Sequence, residues 1–283
     1  MTGTGGIFMK VRSALIFCIS LFSMTCVLAI ASAKRMKHML VVDYTAGFHH
    51  DSIPTGEQVI AQLGKESGLF TVDYCRTADD VKTMLTPDYL KKYDAVFFNN
   101  TTGNLGIPDL HAFLDWIKEG HGFIGVHAAA DTYHPSQIGG DTSYVDMLGG
   151  EFMTHGAQCE VDCLVQDPNF PACKALGAKD WKIFDEIYLF KQDNRDKVHV
   201  LLYLNKFPNN GMAQAGQPGD HLISWDKMYG KGRVFYCALG HKKAVWNNKT
   251  YQAYLLGGIK WALGLAKGST KPGPMLPTAA GNQ

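Results

Sequence analysis

The sequence has no CxxC pair, no GxxxxGK[ST] loop, no GxGxxG after its first strand-like run, no HExxH and no EF-hand loop. Each of those sites needs its spacing to aim ligands or backbone N–H groups at one point, so zinc-ribbon, thioredoxin-like, nucleotide, zincin and calcium readings lose their support. An excess of one charge is also missing: 27 Lys and Arg face 26 Asp and Glu, for a net charge of +1. With no Lys/Arg cluster outside the flanks of the apolar run that opens the chain, nothing marks a nucleic-acid surface, and a small or oligomeric substrate is expected. No internal repeat is found.

Long apolar runs are confined to the start of the chain. Lys10 and Arg12 precede the run from Ala14 to Ile30, and Ala31-Ser32-Ala33 supplies small residues for cleavage, which reads as a secretory signal over residues 1–33. A retained anchor is the alternative, because the run is near the lower limit of about 17 residues for a spanning helix; initiation at Met9 would give a shorter leader. Ser23-Met24-Thr25 before Cys26 departs from a lipoprotein box. The expectation is an exported protein, periplasmic or secreted, beginning near Lys34. Of seven cysteines, Cys75, Cys159, Cys163, Cys173 and Cys237 stay after cleavage, and Cys163 with Cys173 is the disulfide expected first in an oxidising compartment.

From Met39 to about Ala130, strand and helix signals alternate. Apolar runs at Met39–Tyr44, Ala95–Phe98 and Phe123–His127 are separated by helical stretches near Gly56–Lys65 and Pro108–Glu119, the second opening with proline at its first turn. This is the pattern of an α/β, doubly wound parallel sheet. Beyond Gly149 the rhythm turns β-rich: Glu160–Val165 alternates, Val198–Leu204 is apolar, and His221–Trp225 with Gly232–Ala238 brackets a hairpin turn. A last helix runs over Thr250–Leu263, and residues 267–283 form a Pro- and Gly-rich tail expected to be disordered. The folded domain is expected over 34–266.

Five of the eleven histidines, His49, His50, His127, His155 and His241, stand where strand-like runs give way to loops. In an open parallel sheet those strand ends share one edge, so residues distant in sequence can converge there. Gly125-Val126-His127-Ala128-Ala129 has the setting of a nucleophile elbow, with an imidazole in place of the usual Ser or Cys. His127 could bind a metal or move protons, or be a histidine hydrogen-bonded within a tight turn. Ser52 is expected to cap the first helix, leaving His50 and Asp51 facing the crevice. Two or three histidines with one carboxylate, Glu186, suit zinc or another divalent metal; separate hydrogen-bonded histidines are the alternative. Trp246, in a polar stretch, is the aromatic expected to face a carbohydrate. Asn100-Thr101-Thr102 and Asn248-Lys249-Thr250 match glycosylation sequons that carry little meaning here.

Five ordered motifs together carry a resemblance: Gly47-Phe48-His49-His50-Asp51-Ser52-Ile53, Gly122 to Thr132, Gly149-Gly-Glu-Phe-Met-Thr-His155, Asp185-Glu186-Ile-Tyr188 and Tyr229 to His241. Over about Met39–Gly264 the chain resembles the ThuA-like (trehalose utilisation) family. The resemblance implies a flavodoxin-like fold similar to class I glutamine amidotransferases, with His127 where their nucleophile would fall, which argues against glutamine hydrolysis. It implies site positions at His50, His127, Asp131, His155, Glu186 and His241; position 49, commonly Arg in the family, is His here. It also implies a context of disaccharides and their 3-keto derivatives, with sugar oxidoreductases as pathway partners. The expectation is a metal-assisted step on a disaccharide, glycoside or 3-keto-sugar by a hydrolase or lyase. His50, His155, Glu186 and His241 are the expected ligands, His127 or Asp131 the acid/base, and His49, Asp51 and Trp246 the substrate contacts. A non-catalytic sugar-binding protein using the same crevice, and an amidase-like hydrolase without the elbow nucleophile, stay as alternatives.

Overall fold

The structure is a computed structural model that describes residues 1–3, 35–191 and 195–273. The chain divides into two units, Met1–Arg35 and Met36–Gln283, and the second carries all the described strands and helices. Residues 4–33 of the expected signal and residues 274–283 of the expected tail lie outside the described residues. Among those described, no helix is long and apolar enough to cross a membrane.

The elements in chain order are β1 (Lys37–Val42), α1 (Ile53–Ser67), β2 (Phe70–Cys75), α2 (Ala78–Met84), α3 (Pro87–Leu90), β3 (Ala95–Asn99), α4 (Leu110–Lys118), β4 (Gly122–Val126), α5 (Ser143–Leu148), β5 (Phe152–His155), β6 (Cys159–Val165), β7 (Trp181–Asp185), β8 (Tyr188–Phe190), β9 (His199–Lys206), β10 (Pro218–Tyr229), β11 (Gly232–Cys237), α6 (Lys243–Asn247) and α7 (Lys249–Ala262). Nine strands form one sheet in the order β2-β1-β3-β4-β11-β10-β9-β6-β7, and β5 pairs with β8 separately. The strands from β2 to β11 are all parallel, whereas β11 to β7 pair antiparallel. Read alone, the parallel half is the 2-1-3-4-5 order of flavodoxin-like folds. The β-rich excursion enters between its fourth and fifth strands, extending the same sheet.

The continuous apolar runs follow from coverage of both faces. Met39 and Val41 of β1 pack with Val59, Ile60 and Leu63 of α1, while Leu40 and Val42 pack on the other face with Val81 of α2 and Phe113 of α4. All four β1 side chains are fully buried, each worth about 1.5–3 kcal/mol.

Several local expectations change. The helix at α4 starts after Pro108, with the Asp109 carboxylate accepting from Ala112 N at 2.9 Å. An additional strand, β2, lies at the sheet edge. The hairpin forms between Tyr229 and Gly232, with Gly230 at φ 60 in the left-handed region that glycine tolerates. All five described cysteines are buried and free, so the Cys163–Cys173 bridge is not formed; Cys163 lies in β6, and the Cys173 thiol faces Leu201 O at 3.9 Å. Of the two sequons, Asn100 is closed because it is fully buried, whereas Asn248 is exposed and caps α7 through its side-chain oxygen, which accepts from Thr250 N and Tyr251 N.

Candidate functional site

The parallel strands deliver their C-terminal ends to one edge, and the loops after β1, β4 and β11 bring His50, His127 and His241 there. The ring centroids lie 5.0, 5.2 and 5.3 Å apart, a near-equilateral triangle of imidazoles set edge to face. Glu186, just after β7, completes a group of four whose ligand atoms all lie within 4.8 Å of one another.

Each member is held by local structure. His127 has φ 47, a strained conformation for a non-glycine residue that suits a tight elbow. Its carbonyl accepts from Tyr236 Oη at 2.6 Å, and its ring packs on Tyr188 at 4.0 Å. His127 Nδ1 lies 2.7 Å from Ala238 O; a carbonyl only accepts, so Nδ1 carries a proton and Nε2 is the ring atom turned toward the site. Nε2 lies 3.5 Å from Glu186 Oε1.

His241 is fixed through its preceding residue. Gly240 N–H donates to Asp185 Oδ2 at 2.7 Å, with His241 N and Lys242 N also directed at this carboxylate at 3.3 and 3.2 Å. Gly240 O accepts from Ser52 Oγ, Asn100 Nδ2 and Trp246 Nε1. Gly240 adopts φ +126, and a Cβ there would meet Val126 Cγ1 at 2.7 Å, so this position requires glycine. Ser52 therefore does not cap α1 with its side chain. Its hydroxyl is taken by Gly240 O and Asn100, which ties the His50 loop to the His241 loop.

The electrostatics favour a bound cation. Burial drives His50 down to about 3, helped by the charges of His127 and His241, so its ring is neutral with a lone pair available. Burial alone would raise the Glu186 carboxyl, but His127 and His241 outweigh it and hold the group below the usual carboxylate range. The Glu186 carboxylate in turn raises His241. His50 Nδ1 is buried without a hydrogen-bond partner, and His127 Nε2 and His241 Nδ1 have only the long approaches to Glu186 Oε1, which buried polar atoms rarely tolerate. Three nitrogens and one carboxylate oxygen are a zinc-type donor set, and the 3.3 and 3.5 Å approaches of His241 and His127 to Glu186 Oε1 are close to the ~3.4 Å ligand–ligand edge implied by tetrahedral bonds of about 2.1 Å.

The other candidates occupy different places. His155 Nδ1 lies 3.2 Å from Glu186 Oε2 and 3.0 Å from Gly156 O, with its ring half exposed, so it flanks the carboxylate outside the group of four. Asp131 Oδ1 pairs with His134 Nε2 at 2.6 Å, and His134 Nδ1 pairs with Glu151 at 2.7 Å. Asp131, followed by Glu151, raises His134, and two acceptor-only carboxylates make both ring nitrogens donors. Sequence reasoning missed His134; its spacing of three residues from Asp131 was the available signal. His49 and Asp51 are exposed and line a cavity of about 420 Å³ with Phe48, Gln158, His241 and Lys242. Trp246 corrects the sequence reading: it is fully buried, edge-on to Tyr251, and its ring is not presented to a ligand.

A flavodoxin-like α/β sheet carrying a histidine and carboxylate crevice at its strand ends defines the class. The chain belongs to the ThuA family, described as trehalose utilisation, whose model matches residues 38–262; membership places the protein in trehalose utilisation or wider sugar metabolism. Among solved structures it is similar to a ThuA-like protein of Bacteroides uniformis, at 24% identity and TM-score 0.60, covering 80% of this chain and 91% of that one. It is also similar to a ThuA-like protein of Parabacteroides merdae, at 18% identity and TM-score 0.63, covering 81% and 90%. Comparison with curated proteins finds no match.

Proposed function

We propose that this protein is an exported component of carbohydrate catabolism that performs a metal-assisted step on a disaccharide, glycoside or 3-keto-sugar. The convergence of His50, His127, Glu186 and His241, with ligand atoms that all lie within 4.8 Å of one another and His50 Nδ1 buried without a hydrogen-bond partner, carries this reading. These four residues would hold a divalent ion, zinc fitting the donor set, with His127 in the ligand role that the sequence suggested for His155. Such an ion supplies Lewis acidity toward a carbonyl or hydroxyl oxygen.

The protein's own groups supply the rest. His127 is locked in one tautomer by Ala238 O, and His155 flanks the second oxygen of Glu186, orienting the carboxylate. Asp131, partly exposed and oriented by the His134 imidazolium, is the group proposed to take up and return a proton. The cavity beside His50 and His241 receives the sugar. Export rests on the pattern of residues 1–33.

The test uses the mature chain, stripped with a chelator and assayed on trehalose and 3-keto-trehalose with zinc or manganese restored. Turnover that returns with metal and is lost in Glu186→Gln supports the proposal. Turnover unaffected by metal removal and by His127→Ala would overturn the metal step, and saturable sugar binding without turnover would establish the binding-protein alternative.

A further inference from the structure

Phe48 is an unexpected residue to leave in water. It is 66% exposed, yet its loop is not loosely held. Ala46 N–H donates to Thr102 O at 2.9 Å, and the Thr102 hydroxyl donates to Phe48 O at 2.9 Å. The backbone is therefore pinned at and just before the ring's own residue, and the ring is displayed by construction. One edge contact holds it to the site, with the Phe48 and His50 ring centroids 4.8 Å apart and their planes at 81°. Such T-shaped contacts leave a π-face open.

That ring lines the cavity of about 420 Å³ whose inner end is formed by His50 and His241. The polar lining mixes donors and acceptors of the kind hydroxyls need. The Lys243 ammonium is 3.1 Å from Asp51, and Lys242 Nζ donates to Gln158 Oε1 at 2.7 Å while lying over the Phe184 ring at 5.2 Å. Lys243 is thus ion-paired and Lys242 is held by an amide and a ring, so carboxylate, amide and ammonium groups stand as donors and acceptors around an apolar face. A neutral pyranose matches this mixture, since its C–H face packs on an aromatic ring while its hydroxyls need polar partners.

We infer that Phe48 is the aromatic platform for a neutral pyranose ring seated over the histidine crevice, and so a determinant of substrate specificity. This rests on the reading of the crevice as a sugar site. Phe48 takes the role that the sequence suggested for Trp246.

The experiment is calorimetric titration of the zinc-loaded full chain with trehalose and with 3-keto-trehalose, in wild type, Phe48→Leu and Phe48→Trp, with zinc content measured in each. Leucine keeps apolar bulk against His50 but has no π-face; tryptophan keeps the face. The expected result is affinity lowered roughly three- to tenfold in Phe48→Leu, retained in Phe48→Trp, with zinc content unchanged throughout. Wild-type affinity in Phe48→Leu would overturn the platform while leaving the sugar site standing. Zinc lost from Phe48→Leu would also overturn it, since Phe48 would then serve only to support His50. A wild type that holds zinc but binds neither sugar would overturn both the platform and the sugar reading, leaving the metal site intact.

Discussion

The carboxylate of Asp185 receives the backbone N–H of Gly240 at 2.7 Å, so the residue before one candidate ligand, Glu186, holds in place the residue before another, His241. Asp185→Asn replaces one acceptor oxygen with an NH2 group that faces N–H donors. The expected cost is about 1–3 kcal/mol of stability, from buried donors left without partners, together with weaker metal affinity as the His241 loop relaxes. Denaturant unfolding and metal titration of the same variant measure the two effects.

Asp43 predicts a pH dependence unconnected with the histidines. Burial, followed by the neighbouring Glu57, pushes its carboxyl up to about 8, although the Asn99 hydrogen bond opposes this. A folded pKa above the unfolded value means the favourable contribution is complete below about pH 4 and is lost as pH rises toward about 8. Asp43→Asn imitates the protonated acid, keeping an acceptor for Asn99 Nδ2. Its stability relative to wild type should rise steadily between about pH 5 and about pH 8. A constant difference across that range in urea melts would contradict the assignment.

Trp246 separates a core role from a ligand role. Trp246→Phe removes the N–H that Gly240 O accepts at 2.9 Å and should cost about 1 kcal/mol; Trp246→Ala should cost about 3–5 kcal/mol. Sugar affinity of the folded Phe variant should stay near that of wild type.

The five described thiols are buried and free. Burial raises Cys163, Cys173 and Cys237 well above the ordinary thiol range, so native protein should react slowly with a thiol reagent and denatured mature protein should release all five. Three equivalents on denaturation would show that a disulfide forms after all.

The parallel half of the fold was legible because β1, β3 and β4 are covered on both faces and read as unbroken apolar runs. β2 escaped because Phe70-Thr-Val-Asp-Tyr-Cys75 buries only its two ends, the signature of an edge strand and not of a core one. His50, His127 and His241 could be nominated because parallel topology sends strand ends to one edge, whereas Glu186, which follows β7 in the antiparallel half, was nominated as the carboxylate of a histidine set and by the family resemblance. Their relative depth could not be read, since that depends on the Asp185 and Ser52 hydrogen bonds to Gly240, which link residues 55 and 188 positions apart. Trp246 misled because Lys242-Lys-Ala-Val-Trp-Asn-Asn248 looks like a solvent loop; it instead forms the short α6, whose one face is buried.

The most direct test is elemental analysis of the protein purified without an affinity tag or chelator, alongside His241→Ala and His155→Ala. The account predicts close to one divalent ion per wild-type chain, lost in His241→Ala and retained in His155→Ala. A folded wild type without metal, or an ion that survives His241→Ala, would contradict it.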